Sequence, residues 1–123
     1  MKNYLWLDDY RNPFDEIWLK SYIPEYDNTI HNLIWVKSYD EFINWITNNG
    51  LPDKIFFDHD LSFEHYGNIV TDEKTGYDAA KWVGNYCYEN HLNVPSYEIQ
   101  SSNPVGRDNI HHYLQFVNRV QKR

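Results

Sequence analysis

The chain has 123 residues, 41% of them hydrophobic, with a formal net charge of −7 and a pI near 5.2. That length and apolar share describe one folded domain over residues 1–123, too small for two and too apolar for disorder. The acidic balance excludes an extended nucleic-acid surface and a basic coat for anionic membranes, but local basic side chains remain free to bind one phosphate. A single cysteine, Cys87, permits neither an internal disulfide nor a cysteine-built zinc site, and its apolar helical surroundings mark it as a small core residue. The first apolar run meets acid too early for a secretory signal, and no stretch nears the ~20 residues that cross a bilayer. A cytoplasmic protein with no membrane partner is expected.

In chain order, "NYLWL" is a short apolar strand ending at Asp8. Phe14, Ile17, Trp18 and Tyr22 follow at helical spacing, with Asn12-Pro13 offering an N-cap and a proline at the first helical position. "NLIWVKS" is a second strand. Ser38 and Glu41 then stand at capping-box spacing, Phe42, Ile43, Trp45 and Ile46 give a helix one apolar face, and Asn49-Gly50 ends it. "KIFF" is a third strand. The polar stretch from Asp60 to Gly76 is long for a compact domain and reads as a lid or hairpin. A helix carrying Tyr77, Ala80, Val83 or Gly84, and Cys87 on one stripe comes next, then a less apolar strand, "SYEIQ". Asn103-Pro104 opens a last helix whose Ile110, Tyr113, Leu114, Val117 and Val120 face inward.

Strands alternating with helices predict an α/β fold: a three-layer sandwich with a mainly parallel sheet of four or five strands and helices on both faces. In such a sheet every carboxyl end lies on one edge. Asp8 and Asp9 end the first strand, Asp58 and Asp60 the third, and Ser101 and Ser102 the fourth. Each could be a polar loop taken alone, and Asp9 or Asp60 could simply cap a turn. Three polar clusters on one edge instead point to a ligand site. Gathered carboxylates repel one another, and a hard cation such as Mg²⁺ or Mn²⁺ relieves that repulsion, so Asp8, Asp9, Asp58 and Asp60 are the candidate metal ligands. His59 lies between two of them, positioned either toward the core or as a proton shuttle.

"QSSNPVGRDN" suits an anion. Asn103 and Pro104 set a helix N-terminus with free N–H groups, Ser101 and Ser102 add hydroxyls, and Arg107 offers a planar fork for phosphate. A well-capped helix with a surface arginine is the plainer alternative. Arg11 is a second candidate clamp. His31, His65, His91, His111 and His112 show no ligand spacing and read as surface or helix-face residues. The nucleophile elbow, the Walker loop and the dinucleotide fingerprint are all absent from the sequence.

Four blocks, "LWLDDYRNP", "FFDHDLS", "TGYDAAKWV" and "SSNPVGRDNI", together resemble the cyclic-phosphate processing receiver-like family, an offshoot of the response-regulator receiver fold. The resemblance runs from Leu5 to about Leu114. It implies a receiver-like (flavodoxin-like) sandwich and activity on cyclic phosphates of nucleotides or RNA ends. It also implies that Asp8 and Asp9 match the receiver's metal-binding acids, Asp58 its phosphoacceptor, and Ser101 or Ser102 its hydroxyl residue. The receiver's lysine on a fifth strand has no counterpart here, which weighs against phosphorelay signalling. Gln100 stands where the family often has a histidine. The expected function is a Mg²⁺- or Mn²⁺-dependent phosphoesterase with Asp58 and His59 catalytic and a small nucleotide or RNA-end phosphate as ligand. The alternatives are a non-catalytic nucleotide-sensing module or a protein-interaction domain.

Overall fold

The computed structural model describes residues 1–58, 75–100 and 104–121. Its sheet is built from β1 (Lys2–Leu7), β2 (His31–Val36), β3 (Lys54–Phe57) and β4 (Ser96–Ile99), all parallel, in the order β2-β1-β3-β4. The helices are α1 (Glu16–Tyr22), α2 (Tyr39–Asn49), α3 (Gly76–Glu89) and α4 (Pro104–Gln121). The sequence allowed a fifth strand. Among the described residues there are four.

The two central strands are apolar on both faces because both are covered. Leu5, Leu7, Ile55 and Phe57 pack against α2, α3 and α4 through Phe42, Ile46, Ala80, Val83, Cys87, Ile110 and Leu114. Tyr4, Trp6 and Phe56 point the other way, onto Trp18, Leu19 and Tyr22 of α1. Among the described residues α1 therefore covers one face and α2, α3 and α4 cover the other. Cys87 lies in the larger core, where burial pushes its thiol up to about 11. It is therefore protonated and shielded at neutral pH.

The caps of α2 and α3 explain where those helices start. The Ser38 hydroxyl accepts from the Glu41 N–H, and Thr75 and Asp78 form a reciprocal capping box. Gly50 ends α2 at φ 86°, a conformation that suits glycine. The first helix departs from expectation. It begins at Glu16 after an Asp15 N-cap, because Asn12 Oδ1 accepts from the Phe14 N–H and holds residues 12–14 in a turn. Phe14 and Ile17 are consequently exposed, and Leu19 takes the inward position. His31 also departs. It is buried on β2, stacked on the Tyr4 ring at 4.5 Å, with Nδ1 accepting from the Asp27 N–H. A ring that satisfies a tight turn can sit in a core, which its polar sequence neighbours concealed.

The α3–α4 contact depends on a missing side chain. A Cβ on Gly84 would stand 2.5 Å from the Tyr113 ring and 3.1 Å from Val117. The Tyr113 ring cannot simply turn away, since its hydroxyl donates to Asn85 Oδ1 at 2.9 Å. Gly84→Ala should therefore destabilise the fold by about 1–3 kcal/mol in urea denaturation despite alanine's better helix propensity. Unchanged or increased stability would show that the two helices yield easily.

Candidate cation and phosphate site

The strand order reverses between β1 and β3, the topological switch point at which open parallel sheets form their ligand crevice. Hydrogen bonds carry the ladder one residue past each strand. Asp8 N–H donates to Val36 O at 3.1 Å, Asp58 N–H to Leu7 O at 3.0 Å and Gln100 N–H to Phe57 O at 2.9 Å. Asp8, Asp58 and Gln100 thus stand level at the ends of three adjacent strands.

Asp8 is 0% exposed and does two jobs. Its Oδ1 accepts from the N–H groups of Tyr10 and Arg11, both at 2.9 Å, which folds the β1–α1 connection into a tight turn. Its Oδ2 accepts from Arg11 Nη1 at 3.2 Å. The same Arg11 nitrogen lies 3.9 Å from Asp58 Oδ1. Burial alone would lower the guanidinium's pKa, but the hydrogen bond and charge of Asp8, with the charge of Asp58, outweigh it and hold the group above its usual value. Its CZ lies 5.3 Å from the centroid of the Trp18 ring, within cation–π range. Two indoles brace this turn from below: Trp6 Nε1–H donates to Arg11 O at 2.9 Å and Trp35 Nε1–H to Asp8 O at 2.7 Å.

One carboxylate oxygen from each of Asp8, Asp9 and Asp58 lies within 4.8 Å of the others. These are hard oxygen donors, and their number and charge suit Mg²⁺ or Mn²⁺ rather than a soft metal. A fourth oxygen stands at the same edge. Gln100 is 2% exposed, and its Oε1 has no hydrogen-bond partner among the described residues. The donor set fits a hydrated divalent cation.

Of the sequence-derived candidates, Asp8, Asp9, Asp58 and Arg11 come together. Arg11 engages the acids themselves, in the space where it was expected to clamp a ligand. Arg107 is exposed in the first turn of α4 and lines a cleft of about 300 Å³ with Tyr97, Glu98, Ile99, Asp108 and His111. His59, Asp60, Ser101, Ser102 and Asn103 lie outside the described residues, as does the 60–76 lid reading up to residue 74. The sequence reading missed Trp6 and Trp35 as braces of the acidic turn and Gln100 as a buried polar group at the edge. Only Gln100 carried a signal, an amide at the carboxyl end of the predicted fourth strand.

This α/β sheet with acids at its switch point defines a receiver-like domain. The profile of the Cyclic-phosphate processing Receiver domain matches residues 3–116, and the chain belongs to that family. No curated protein matches the chain. Among solved structures it is similar to NtrX from Brucella abortus, at 14% identity and a TM-score of 0.47, over 98% of this chain and 28% of that one. The chain thus spans less than a third of the length of that protein. Among the described residues no helix is long and apolar enough to cross a membrane.

Arg11 has a measurable role in the stability of the acidic turn. Arg11→Met keeps much of the stem but leaves the buried Asp8 without its counter-charge, and should cost on the order of 3 kcal/mol in urea denaturation with chelator present. A loss under about 0.5 kcal/mol would place the pair among ion pairs that contribute little.

Proposed function

We propose that the chain is a divalent-cation-dependent phosphoesterase acting on a cyclic phosphate of a nucleotide or an RNA end. The convergence of Asp8, Asp9 and Asp58 at the switch point carries this reading, and membership of the cyclic-phosphate family supplies the substrate class. Asp8, Asp9 and Asp58, with Asp60, would hold Mg²⁺ or Mn²⁺. The ion would polarise the phosphoryl group and make water a better nucleophile.

In the proposed hydrolysis a water oxygen forms a bond to phosphorus while one ribose P–O bond breaks. His59 donates a proton to the departing ribose oxygen, the attacking water releases one proton to solvent, and His59 regains a proton from solvent. Asp58 would anchor the cation, or it attacks phosphorus itself as the ribose oxygen leaves, and water then hydrolyses the aspartyl phosphate. Ser101, Ser102, Asn103 and Arg107 bind phosphate oxygens, the last of them from the first turn of α4. With a cation held by Asp58, Arg11 would be able to offer its fork to the phosphate. Non-catalytic ligand sensing is the second reading. It is favoured by Gln100, an amide that cannot shuttle a proton, at the edge position beside Asp58.

Thermal melting tests the cation requirement. Saturating Mg²⁺ or Mn²⁺ should raise the wild-type Tm, with about 2.7 kcal/mol of stabilisation at a hundredfold excess over Kd. Asp58→Asn should lose most of that shift. No shift in the wild type at millimolar ion, or an unchanged shift in Asp58→Asn, would remove the shared site. Turnover of a nucleoside cyclic phosphate that needs the ion and vanishes in Asp58→Asn marks an enzyme, whereas ion-dependent binding without turnover marks a sensor.

Calorimetry with a nucleoside monophosphate tests the phosphate grip. Arg107→Ala should weaken binding by roughly 1.5–3 kcal/mol, the size of a charge-assisted bond, and leave Mn²⁺ affinity unchanged. Arg107→Lys should recover only part. Equal affinity in all three proteins would assign Arg107 to the Tyr97 cleft alone.

A further inference from the structure

Gln100 reaches across the site. Its Nε2–H donates to Leu7 O at 3.3 Å, from β4 to β1. The amide therefore spans the end of β3, the strand between them that carries Asp58. Leu7 O also accepts the Asp58 N–H, so this one carbonyl ties the backbone of Asp58 to the side chain of Gln100. The bond also decides the orientation of the amide. Turned over, Oε1 would meet the Leu7 carbonyl oxygen, acceptor against acceptor. Nε2 is thus committed, and Oε1 is left as a buried acceptor with no partner among the described residues. Leaving such a group unsatisfied is costly, so its natural complement is a donor. Ionised carboxylates supply none, as they only accept. A group that bridged Oε1 and the acids would have to donate toward Gln100 while carrying positive charge toward Asp8 and Asp58. A hydrated divalent cation does both.

We propose that Gln100 is a positioning residue of the cation site, its Oε1 accepting from a water carried by the ion that Asp8, Asp9 and Asp58 hold. The proposal rests on the cation reading above and adds to it an outer oxygen that fixes where the ion's water points. It also gives the amide a purpose at a position that needs no proton transfer.

The test measures Mn²⁺ binding by spin resonance of the free ion, together with the Tm in chelator, for the full chain as wild type, Gln100→Met and Asp58→Asn. Loss of an outer-shell partner should weaken Mn²⁺ about 10-fold in Gln100→Met. The cation-free Tm should hold or rise, because an apolar group of similar length replaces an unsatisfied acceptor. Wild-type affinity in Gln100→Met beside lost binding in Asp58→Asn overturns the role of Gln100 and leaves the cation site standing. So does a Gln100→Met protein that melts far lower yet binds Mn²⁺ normally, since Gln100 is then a strut. Absent wild-type binding overturns the cation site itself, and the Gln100 role with it. A second measurement needs no variant. In isotopically labelled wild type, the Gln100 side-chain amide resonances should move with the Mg²⁺ titration. Resonances that stay fixed through saturation overturn the proposal even where Gln100→Met does not fold.

Discussion

Three carboxylates held within 4.8 Å of one another, one of them fully buried, set the terms for everything at the carboxyl edge of this sheet. At ~5 Å and an effective dielectric near 20, each like-charged pair is unfavourable by about 3 kcal/mol. A fold does not keep such an arrangement without positive charge to offset it. Arg11 supplies one charge from within the chain, bonded to Asp8 and close to Asp58. Among the described residues Arg11 is the guanidinium that faces these three acids, and a divalent ion would add charge of the same sign.

Much of the architecture serves to hold those acids in place. The parallel ladder carries Asp8 and Asp58 past the ends of β1 and β3, and strands buried on both faces resist movement there. The Trp6 and Trp35 indoles fasten the carbonyls of Arg11 and Asp8, so the acidic turn is fixed by aromatic groups whose bodies lie in apolar surroundings. On the opposite face Gly84 lets α3 and α4 approach closely, which secures the helix that follows β4. The acidic half of the site is thus built on the ends of strands. A preorganised acidic half lets binding energy go to the ligand instead of to ordering the protein.

The alternation of short apolar runs with helical spacing made the layer order legible, and the strand-end positions of Asp8, Asp9 and Asp58 made their convergence predictable before any coordinates. The capping signals at Ser38 and Gly50 were equally readable, because a cap is a local contract between residues a few positions apart. Non-local features were not. The start of α1 was misplaced because Asn12 spends its side chain on a turn at Phe14, and sequence spacing cannot say which of two local hydrogen bonds wins. His31 looked like a surface residue because its partners, Tyr4 and Asp27, are brought together only by the pairing of β1 with β2. The contacts of Arg11 with Asp8 and Asp58 follow from a turn closed by Asp8 that composition does not reveal. Gln100 looked like a lost histidine, whereas its amide is bonded across two strands.

Anomalous diffraction from a crystal grown with Mn²⁺ tests the central claim most directly. The expected map has one strong peak roughly 2.0–2.3 Å from carboxylate oxygens of Asp8, Asp9 and Asp58, with the Arg11 guanidinium moved away from Asp58. A map with no peak at that edge, or with Mn²⁺ bound elsewhere while Arg11 still spans Asp8 and Asp58, would contradict a cation site at the switch point.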